Sequence, residues 1–247
     1  MNPLELRNEF EAVLKDYQPS KDVIKLLALI RLLLLVGPSA VGRNTIISKL
    51  NQTGRYHFIV SDTTRRPRIN NGVQEIDGQV YWFRSEADFL RDLKRGEFLE
   101  AEIIHNRQVS GISVRELKRA QAAAKIAVDD IDIGGFKNIL KRKPDTVGIF
   151  VLPPSFGVWL NRLHGRGQMN RDELTSRLHT GISIFSEVLK NTGSWIIVND
   201  ILDNTVKQVD DLVNGQFEPN MNQGLQVAAD LLKSTRDYLS KNGQSEL

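Results

Sequence analysis

A short glycine-containing loop near the start of the chain has the residue types of a phosphate-binding site. It follows the apolar run at 32–36 and precedes a segment in which Ile46, Ile47 and Leu50 have helical spacing. In that setting, successive backbone N–H groups and the positive end of a helix can surround phosphate oxygens. The loop consists of Gly37, Pro38, Ser39, Ala40, Val41, Gly42, Arg43, Asn44 and Thr45.

This loop departs from the usual phosphate-loop pattern, which places a lysine before a serine or threonine whose hydroxyl binds Mg²⁺. Here Arg43 carries the charge, Asn44 follows it, and a hydroxyl occurs only one position later, at Thr45. The candidate metal ligand is therefore Asn44 or Thr45, and either is a weak one. Ala40 replaces a frequent glycine and is strained if its φ angle is positive. Taken alone, the segment fits a plain glycine turn as well as a phosphate site.

Further polar and charged groups follow this loop in a fixed order along the chain. They are S-D-T-T-R-R-P-R at 61–68, Tyr81 before Phe83, F-L-E at 98–100, D-I-D at 130–132, L-P-P-S at 152–155, Arg162-Leu163 with Arg166-Gly167, and I-V-N-D at 197–200. Together with the glycine loop, these groups resemble the guanylate kinase family over about residues 32–213. No single group is decisive, but their common order and spacing are highly specific.

The resemblance implies a site for GMP, the phosphate acceptor. Arg65 and Arg68 match the arginines that grip the GMP phosphate, for which two guanidinium forks are well suited. Glu100 and Asp132 match acids that read guanine, whose N1–H and N2–H₂ donors a carboxylate accepts and adenine cannot reproduce. The other matches to the GMP site are Ser61, Tyr81 and, once an insertion at 69–74 is allowed, Glu75.

The resemblance also implies that ATP with Mg²⁺ is the phosphate donor and that the loop at 37–45 binds it. Asp130 matches an acid near the metal ion, and Arg162, Arg166 and Arg177 match arginines of a mobile lid and the helix beside it. Such groups neutralise charge on the transferring phosphoryl group once the lid has excluded water. The expected catalytic residues are therefore Arg43, Asp130, Arg162, Arg166 and Arg177.

One strand of the acceptor side departs from the family. Where the family usually has two tyrosines, a glycine and then threonine or serine, this chain has V-S-G-I-S at 109–113. A tyrosine for the phosphate and a hydroxyl for the base are missing, and Ser110 and Ser113 compensate only in part.

Two functions follow from these residues, and both stay open at this point. The first is a kinase that transfers the ATP γ-phosphate to GMP, slowed by Arg43 and Asn44. The second is a guanylate kinase-like module that binds nucleotide or protein without turnover. RNA binding is disfavoured because no aromatic residue interleaves with the basic runs at 65–68 and 141–143, so we expect no nucleic-acid partner.

The elements that must position these residues are strands alternating with helices. Apolar runs at 32–36, 56–61, 126–131, 147–152 and 195–198 predict strands, and the alternation indicates an α/β fold with a mainly parallel sheet flanked by helices. The resemblance adds the P-loop nucleoside monophosphate kinase fold, with a small mixed monophosphate-binding subdomain at about 61–112 and a lid at about 162–177. We expect an N-terminal helical extension at 1–31, the guanylate kinase-like domain at 32–213, and a linker with a C-terminal helix at 214–247.

Helix boundaries are also predicted from local signals. Ser85 with Asp88, and Ser113 with Glu116, have the spacing of capping boxes, and Ser155 can cap the helix after the two prolines. Two apolar faces are expected. They are Phe10, Val13, Leu14 and Tyr17 in the extension, and Leu174, Leu178, Phe185 and Leu189 in a later helix.

Composition sets the remaining limits. The 247 residues are 40% hydrophobic and 26% charged, and 33 basic against 30 acidic residues give a net charge of only +3. The absence of cysteine excludes disulfide scaffolds, thiolate metal sites and cysteine nucleophiles, and makes a cytoplasmic location the expectation. The apolar stretch at 23–36 contains Lys25 and Arg31 and is shorter than the roughly 20 residues that cross a bilayer, so no membrane partner is expected. The oligomeric state stays open.

Overall fold

The computed structural model of the chain describes residues 4–70, 72–104, 106–165, 167, 169–190 and 193–243. The chain divides into two compact units. The first unit comprises Met1–Leu32, Gly54–Asp129 and Lys137–Thr146, and the second comprises Leu33–Thr53, Asp130–Phe136 and Val147–Leu247.

The elements alternate along the chain as predicted. The helices are α1 (Arg7–Leu14), α2 (Lys21–Leu29), α3 (Arg43–Gln52), α4 (Glu86–Lys94), α5 (Val114–Ala122), α6 (Ile133–Arg142), α7 (Phe156–His164), α8 (Arg171–Lys190), α9 (Leu202–Val213) and α10 (Met221–Gly243). The strands are β1 (Leu32–Val36), β2 (Tyr56–Phe58), β3 (Asp62–Thr63), β4 (Ile69–Asn70), β5 (Val73–Gln74), β6 (Trp82–Phe83), β7 (Phe98–Ile104), β8 (Gln108–Ser113), β9 (Ile126–Asp130), β10 (Val147–Leu152) and β11 (Trp195–Val198). Within the described residues, no helix combines the length and the apolar character needed to cross a membrane.

The second unit contains three parallel strands in the order β11-β10-β1. Leu35 of β1 lies opposite Ile149 of β10, and Val151 of β10 lies opposite Ile197 of β11. Every residue of β1 is buried. The predicted bounds of these three strands are confirmed to the residue, because each is a continuous apolar run, which is the pattern of a strand covered on both faces.

The first unit contains the parallel pair β2–β9 and a four-stranded mixed sheet in the order β6-β3-β8-β7. In the mixed sheet, β3 is parallel to β6 and antiparallel to β8, and a bulge interrupts the β7–β8 ladder between Phe98 and Glu100. The strand predicted at 56–61 is shorter than expected. It ends at Phe58, the Ile59 N–H makes one more bond to β9 by donating to the carbonyl of Val128 at 2.9 Å, and the Val60 N–H donates to a Glu116 carboxylate oxygen at 3.3 Å.

Two of the three predicted helix caps form. The Ser85 hydroxyl accepts a hydrogen bond from the Asp88 N–H, and the Ser155 hydroxyl accepts one from the Val158 N–H. The capping box predicted at Ser113 is wrong. The hydroxyl of Ser113 is buried and has no hydrogen-bond partner among the described residues.

The acid of that supposed capping box, Glu116, holds the first unit together instead. It is fully buried, hydrogen-bonds to His57 Nε2 at 2.9 Å, and accepts a hydrogen bond from Trp82 Nε1 at 3.1 Å. Burial alone raises the pKa of Glu116, but the hydrogen bonds to the carboxylate, led by the one with His57, lower that pKa below its ordinary value. Glu116 therefore stays ionised and joins α5 to the strands beside it.

The structure shows how the N-terminal and C-terminal segments pack, which the sequence left open. The α1 helix ends at Leu14, so Tyr17 lies beyond it, although Phe10 is fully buried as predicted. The α10 helix packs against α8 and β11 within the second unit, with the Tyr238 ring centroid 5.3 Å from that of Phe156. The apolar face predicted for α8 is wrong at Leu189, which is exposed, whereas Phe185 is buried.

Candidate active site

Two glycines shape the predicted phosphate loop. A Cβ atom on Gly37 would lie 2.4 Å from the carbonyl oxygen of Val151, a distance that real Cβ atoms do not show. Gly42 has a φ of +102° and is the N-cap residue of α3, a conformation that glycine adopts at little cost. The last three residues of the predicted loop, Arg43, Asn44 and Thr45, thus form the start of α3, so backbone N–H groups and the positive helix end are in place for an anion.

The same loop is held by side chains from distant parts of the second unit. Trp159 Nε1 donates to the carbonyl of Ser39 at 2.9 Å, and Asn199 Nδ2 donates to the carbonyl of Val41 at 2.7 Å. The hydroxyl of Thr205 in turn donates to Asn199 Oδ1 at 3.0 Å, which fixes the orientation of that amide. The sequence marked Asn199 only as part of a motif, and no sequence signal pointed to Trp159.

The sequence predicted strain at Ala40 if its φ angle is positive, and the structure has a positive φ there. Its φ is +64° and its side chain is buried. For a residue with a Cβ atom, this conformation costs roughly 1–2 kcal/mol. The loop therefore contains local backbone strain at the position where the usual pattern has glycine.

We expect Ala40→Gly to raise the free energy of unfolding by about 0.5–1 kcal/mol, because relief of strain exceeds the greater entropy of glycine in the unfolded chain. Urea denaturation measures the change. The matched control is Ala12→Gly in α1, where the alanine is exposed and helical, and there we expect a loss of about 1 kcal/mol. Equal losses for both variants would show that Ala40 is not strained.

The charged end of Arg43 is paired with the predicted metal-side acid. Arg43 Nη1 lies 3.4 Å from Asp130 Oδ2 and donates to the carbonyl of Ile131 at 3.5 Å. Both side chains are largely buried, at 19% and 24% exposure. The structure thus brings Arg43 and Asp130 together, and their opposite charges neutralise each other. Asn44 and Thr45 lie in the exposed first turn of α3.

A cavity of about 490 Å³ opens beside this pair, entirely within the second unit. Its lining combines the loop, the end of β9 and one face of α8. Asp132 is part of this lining, and its Oδ1 accepts hydrogen bonds from Gly134 N at 2.6 Å and Gly135 N at 3.1 Å. This predicted base-reading acid is therefore held in place by the first turn of α6. The lining residues from the prediction are Gly37, Ser39, Arg43, Asp130 and Asp132.

The arginines predicted for the lid have different partners. Arg162 donates to the carbonyls of Asn199 and Asp200, at 2.9 and 3.3 Å, so it braces the turn that follows β11. Arg177 is paired with Glu173 one turn earlier on α8. Arg166 lies outside the described residues, whereas its neighbour Gly167 has a φ of +114°. Arg177 is thus paired with an exposed side chain that can change its conformation, whereas Arg162 is bonded to backbone carbonyls.

The predicted phosphate-gripping residues lie together in the first unit. The Arg65 guanidinium makes two hydrogen bonds to the Glu75 carboxylate, at 2.5 and 2.9 Å, and its Cζ lies 4.7 Å from the centroid of the Tyr81 ring. The Arg68 N–H donates to the same carboxylate at 2.8 Å. Hydrogen bonding from Arg65 holds the pKa of Glu75 below its usual value. Glu75 therefore acts as the anchor of Arg65.

The insertion that the sequence placed at 69–74 explains how Glu75 reaches Arg65. It forms the two-stranded hairpin β4–β5, in which Ile69 lies opposite Gln74. The Glu75 N–H then donates to the carbonyl of Arg68 at 2.9 Å, which closes the hairpin at its base. Because of this closure, two residues ten positions apart in sequence form one rigid charged pair.

The remaining residues predicted for the acceptor site lie around the mixed sheet. Glu100 is on β7 opposite Ile112, and the carbonyl of Ser61 accepts a hydrogen bond from Trp82 N–H at 3.0 Å. The Ser110 hydroxyl donates to Thr63 Oγ1 at 3.0 Å and is buried. It is thus committed inside the sheet and does not replace the missing family hydroxyl.

Comparison with known proteins identifies the group to which these sites belong. The family model for guanylate kinase matches residues 29–216 of this chain. The chain belongs to the guanylate kinase family. A guanylate kinase of Corynebacterium glutamicum is 34% identical over 187 residues, which cover 75% of this chain and 95% of that protein. A guanylate kinase of Corynebacterium efficiens is 33% identical over 181 residues, covering 72% and 92%.

A solved structure supports the fold independently. The crystal structure of guanylate kinase from Anaplasma phagocytophilum superposes with a TM-score of 0.57 at 22% identity, covering 78% of this chain and 89% of that one. The predicted P-loop kinase fold is thereby confirmed. The part of this guanylate kinase family member that the family model leaves out contains α1, nearly all of α2, and α10.

Proposed function

We propose that this member of the guanylate kinase family transfers the γ-phosphate of ATP to GMP, giving ADP and GDP. The observation that carries the proposal is the Arg65 group, in which Glu75 and Tyr81 orient one buried guanidinium at the position that the family uses for the GMP phosphate. A guanidinium fixed in this way suits a dianionic phosphate, because little side-chain entropy is lost on binding. The matched relatives, which are named guanylate kinases, support the same conclusion.

The reaction needs no covalent catalysis by the protein. A phosphate oxygen of GMP forms a bond to the γ-phosphorus, and the bond between that phosphorus and the β,γ-bridging oxygen breaks, so ADP leaves with the electron pair. The acceptor oxygen is already ionised at neutral pH, so no proton has to be removed. The protein contributes orientation and charge neutralisation. We assign the acceptor phosphate to Arg65 and Arg68, and the transferring phosphoryl group to Arg43, Arg162, Arg166 and Arg177.

Guanine would be selected by two carboxylates. Asp132 has one oxygen committed to the start of α6, which leaves Oδ2 without a hydrogen-bond partner among the described residues. Glu100 supplies the other carboxylate from β7. Each carboxylate would accept hydrogen bonds from N1–H or N2–H₂ donors of guanine, and adenine would leave it unpaired. Ser61 and Tyr81 complete the proposed GMP site.

We propose Mg²⁺ as the metal ion that accompanies ATP. Magnesium is usually held by one or two protein oxygens together with substrate phosphates and water. The donor set at the loop fits that pattern: Thr45 offers a hydroxyl, Asn44 an amide oxygen, and Asp130 a carboxylate. When bound, the ion would neutralise negative charge on the phosphates of ATP. We place the reaction in the cytoplasm, where both nucleotides are available.

The alternative of an inactive binding module has no positive support in the comparisons, and one assay separates the two. Purified protein with ATP, Mg²⁺ and GMP is coupled to ADP detection. We expect ADP formation that depends on GMP and is much slower with AMP. No ADP formation, together with calorimetric binding of GMP, would establish the binding module instead.

We expect the double change Arg43→Lys with Asn44→Ser to raise kcat/KM for ATP at least tenfold, about 1.4 kcal/mol of transition-state stabilisation. A lysine replaces a guanidinium that is now paired with Asp130, and the serine restores a hydroxyl for Mg²⁺. Steady-state rates at varied ATP measure the gain.

The single variants serve as controls. Each should raise kcat/KM for ATP by less than half of the double variant's gain in free energy, because both groups act on one metal–triphosphate unit. If the unaltered protein already turns over at about 1–100 s⁻¹, Arg43 is a competent substitute and the prediction is wrong. If the repaired loop binds Mg·ATP but GMP is still not phosphorylated, the defect lies at 109–113.

A further inference from the structure

The segment that follows α1 makes directional hydrogen bonds to the start of β7. Tyr17 Oη donates to the carbonyl of Phe98 at 2.7 Å, and the Phe98 N–H donates back to Tyr17 Oη at 3.0 Å. The Ser20 N–H donates to the carbonyl of Gly96 at 2.9 Å. β7 is the last strand of the mixed sheet, so these contacts occupy backbone groups on its open edge.

The same extension is packed against the mixed sheet through an aromatic cluster. The rings of Phe89 and Phe98 stack with centroids 4.3 Å apart, and Phe10 of α1 meets Phe89 edge-on at 6.0 Å. At the beginning of the described chain, the Leu6 N–H donates to the Glu86 carboxylate at 2.8 Å. The extension is therefore an integral layer of the first unit.

These contacts meet β7 where its register changes. Phe98 lies opposite Ser113, but Glu100 lies opposite Ile112, so Leu99 is an extra residue in the ladder. A bulge of this kind changes the direction of the side chain that follows it. Its conformation depends on how well the residues on either side are held in place. Phe98 is the residue before the bulge, and Glu100 is the residue after it.

We propose that Tyr17 is a positioning residue for Glu100, and that the N-terminal extension thereby sets how strongly the acceptor site prefers guanine. The inference rests on the proposed function, in which the Glu100 carboxylate reads the base. It goes beyond the family match, because Tyr17 precedes residue 29. The Tyr17 phenol hydrogen-bonds to both the N–H and the carbonyl of Phe98. These bonds hold the bulge in one conformation, and the Glu100 side chain therefore keeps one direction.

The state of the phenol supports a permanent role. Burial raises the pKa of Tyr17 to about 12, and the negative charges of Glu100 and Glu97 act in the same direction. The hydroxyl therefore keeps its proton, and the bond to Phe98 persists, at any pH where the protein works. Arg142 Nη2 donates to the backbone carbonyl of Tyr17 at 3.4 Å and steadies the segment from the other side.

The test is Tyr17→Phe in the full chain, with GMP and AMP affinities measured by calorimetry. Loss of the hydroxyl leaves two backbone groups of Phe98 without their partner while the ring remains. We expect GMP to bind about tenfold more weakly and AMP affinity to stay within about twofold, so the preference for GMP over AMP becomes smaller. ATP affinity should not change. A merely structural effect would weaken both monophosphates equally.

A double-mutant cycle identifies the residue through which Tyr17 acts. In the background of Glu100→Gln, adding Tyr17→Phe should change GMP affinity by no more than about twofold. An undiminished tenfold effect in that background would overturn the assignment to Glu100. The matched control is Tyr238→Phe on α10, whose ring packs on Phe156, and there we expect no change in GMP affinity.

A milder variant keeps the proposal testable if Tyr17→Phe does not fold. Arg142→Gln removes the bond to the Tyr17 carbonyl and the positive charge near the phenol but keeps the phenol itself. A smaller narrowing of the GMP preference would support the proposal, whereas an unchanged preference would overturn it. The affinities of the unaltered protein distinguish a failure of the positioning role from a failure of the proposed function. An unaltered protein that prefers GMP while Tyr17→Phe keeps that preference refutes the positioning role alone. An unaltered protein with no preference refutes the proposed function and the positioning role together.

Discussion

Replacing Arg177 by alanine is expected to lower kcat about 10³-fold while KM for GMP changes by less than about threefold. Lid arginines contribute mainly in the transition state, when charge develops on the transferring phosphoryl group, and comparable arginine fingers contribute 10³–10⁵ in kcat. In this structure Arg177 pairs only with Glu173 of its own helix among the contacts described, so it can reorient when nucleotides bind. Steady-state rates at varied GMP measure both constants.

Arg177 is a cleaner test than Arg162. Arg162 also holds the carbonyls of Asn199 and Asp200, so its loss would disturb the turn after β11 as well as the chemistry. The matched control is Arg236→Ala, an exposed arginine of α10, which should leave both constants unchanged. A rise in KM with kcat unchanged would assign Arg177 to ground-state binding and contradict the prediction.

Arg65→Ala is expected to raise KM for GMP about 100-fold, close to 3 kcal/mol, with little change in KM for ATP. The substitution removes the proposed phosphate contact and leaves the Glu75 carboxylate, which is only 9% exposed, without its bidentate partner. Arg65→Lys should give an intermediate loss, because an ammonium keeps the charge but not the paired geometry. Steady-state rates at varied GMP and at varied ATP measure the two KM values separately.

The neighbouring arginine provides the control for this prediction. Arg66 is exposed and offers only its backbone carbonyl to Arg65, so Arg66→Ala should leave GMP affinity within about twofold. Equal effects at both positions would mean that net charge, and not the Arg65 geometry, attracts the phosphate. The same result would remove the main support for the acceptor site.

The strands of the second unit and two helix starts follow from the sequence alone. The runs at 32–36, 147–152 and 195–198 form β1, β10 and β11 without adjustment, and Ser85 and Ser155 cap their helices as expected. These signals are local: a continuous apolar run has to be buried, and a serine cap bonds to a residue three positions away. The family membership also follows from the order of short motifs.

Partner choice within the site depends on tertiary structure, because the chain must close a long loop before two side chains meet. Trp159 holds a loop residue 120 positions away, and Asn199 holds one 158 positions away. Neither contact leaves a pattern in sequence spacing. The pairing of Arg43 with Asp130 has the same origin, since it depends on where β9 ends relative to the start of α3.

Ser113 and Tyr17 are two more positions where local spacing gave one prediction and tertiary contacts decided otherwise. Spacing alone made Glu116 a cap residue, but burial beside His57 and Trp82 gave its carboxylate stronger partners than the helix start. Helical periodicity placed Tyr17 on α1, but the phenol found the open edge of β7, 81 residues away. The sequence determined which residues carry charge and where the continuous apolar runs lie. Only the fold decided which charges meet, because hydrogen bonds require approach to about 3 Å and that approach is set by the packing of distant elements.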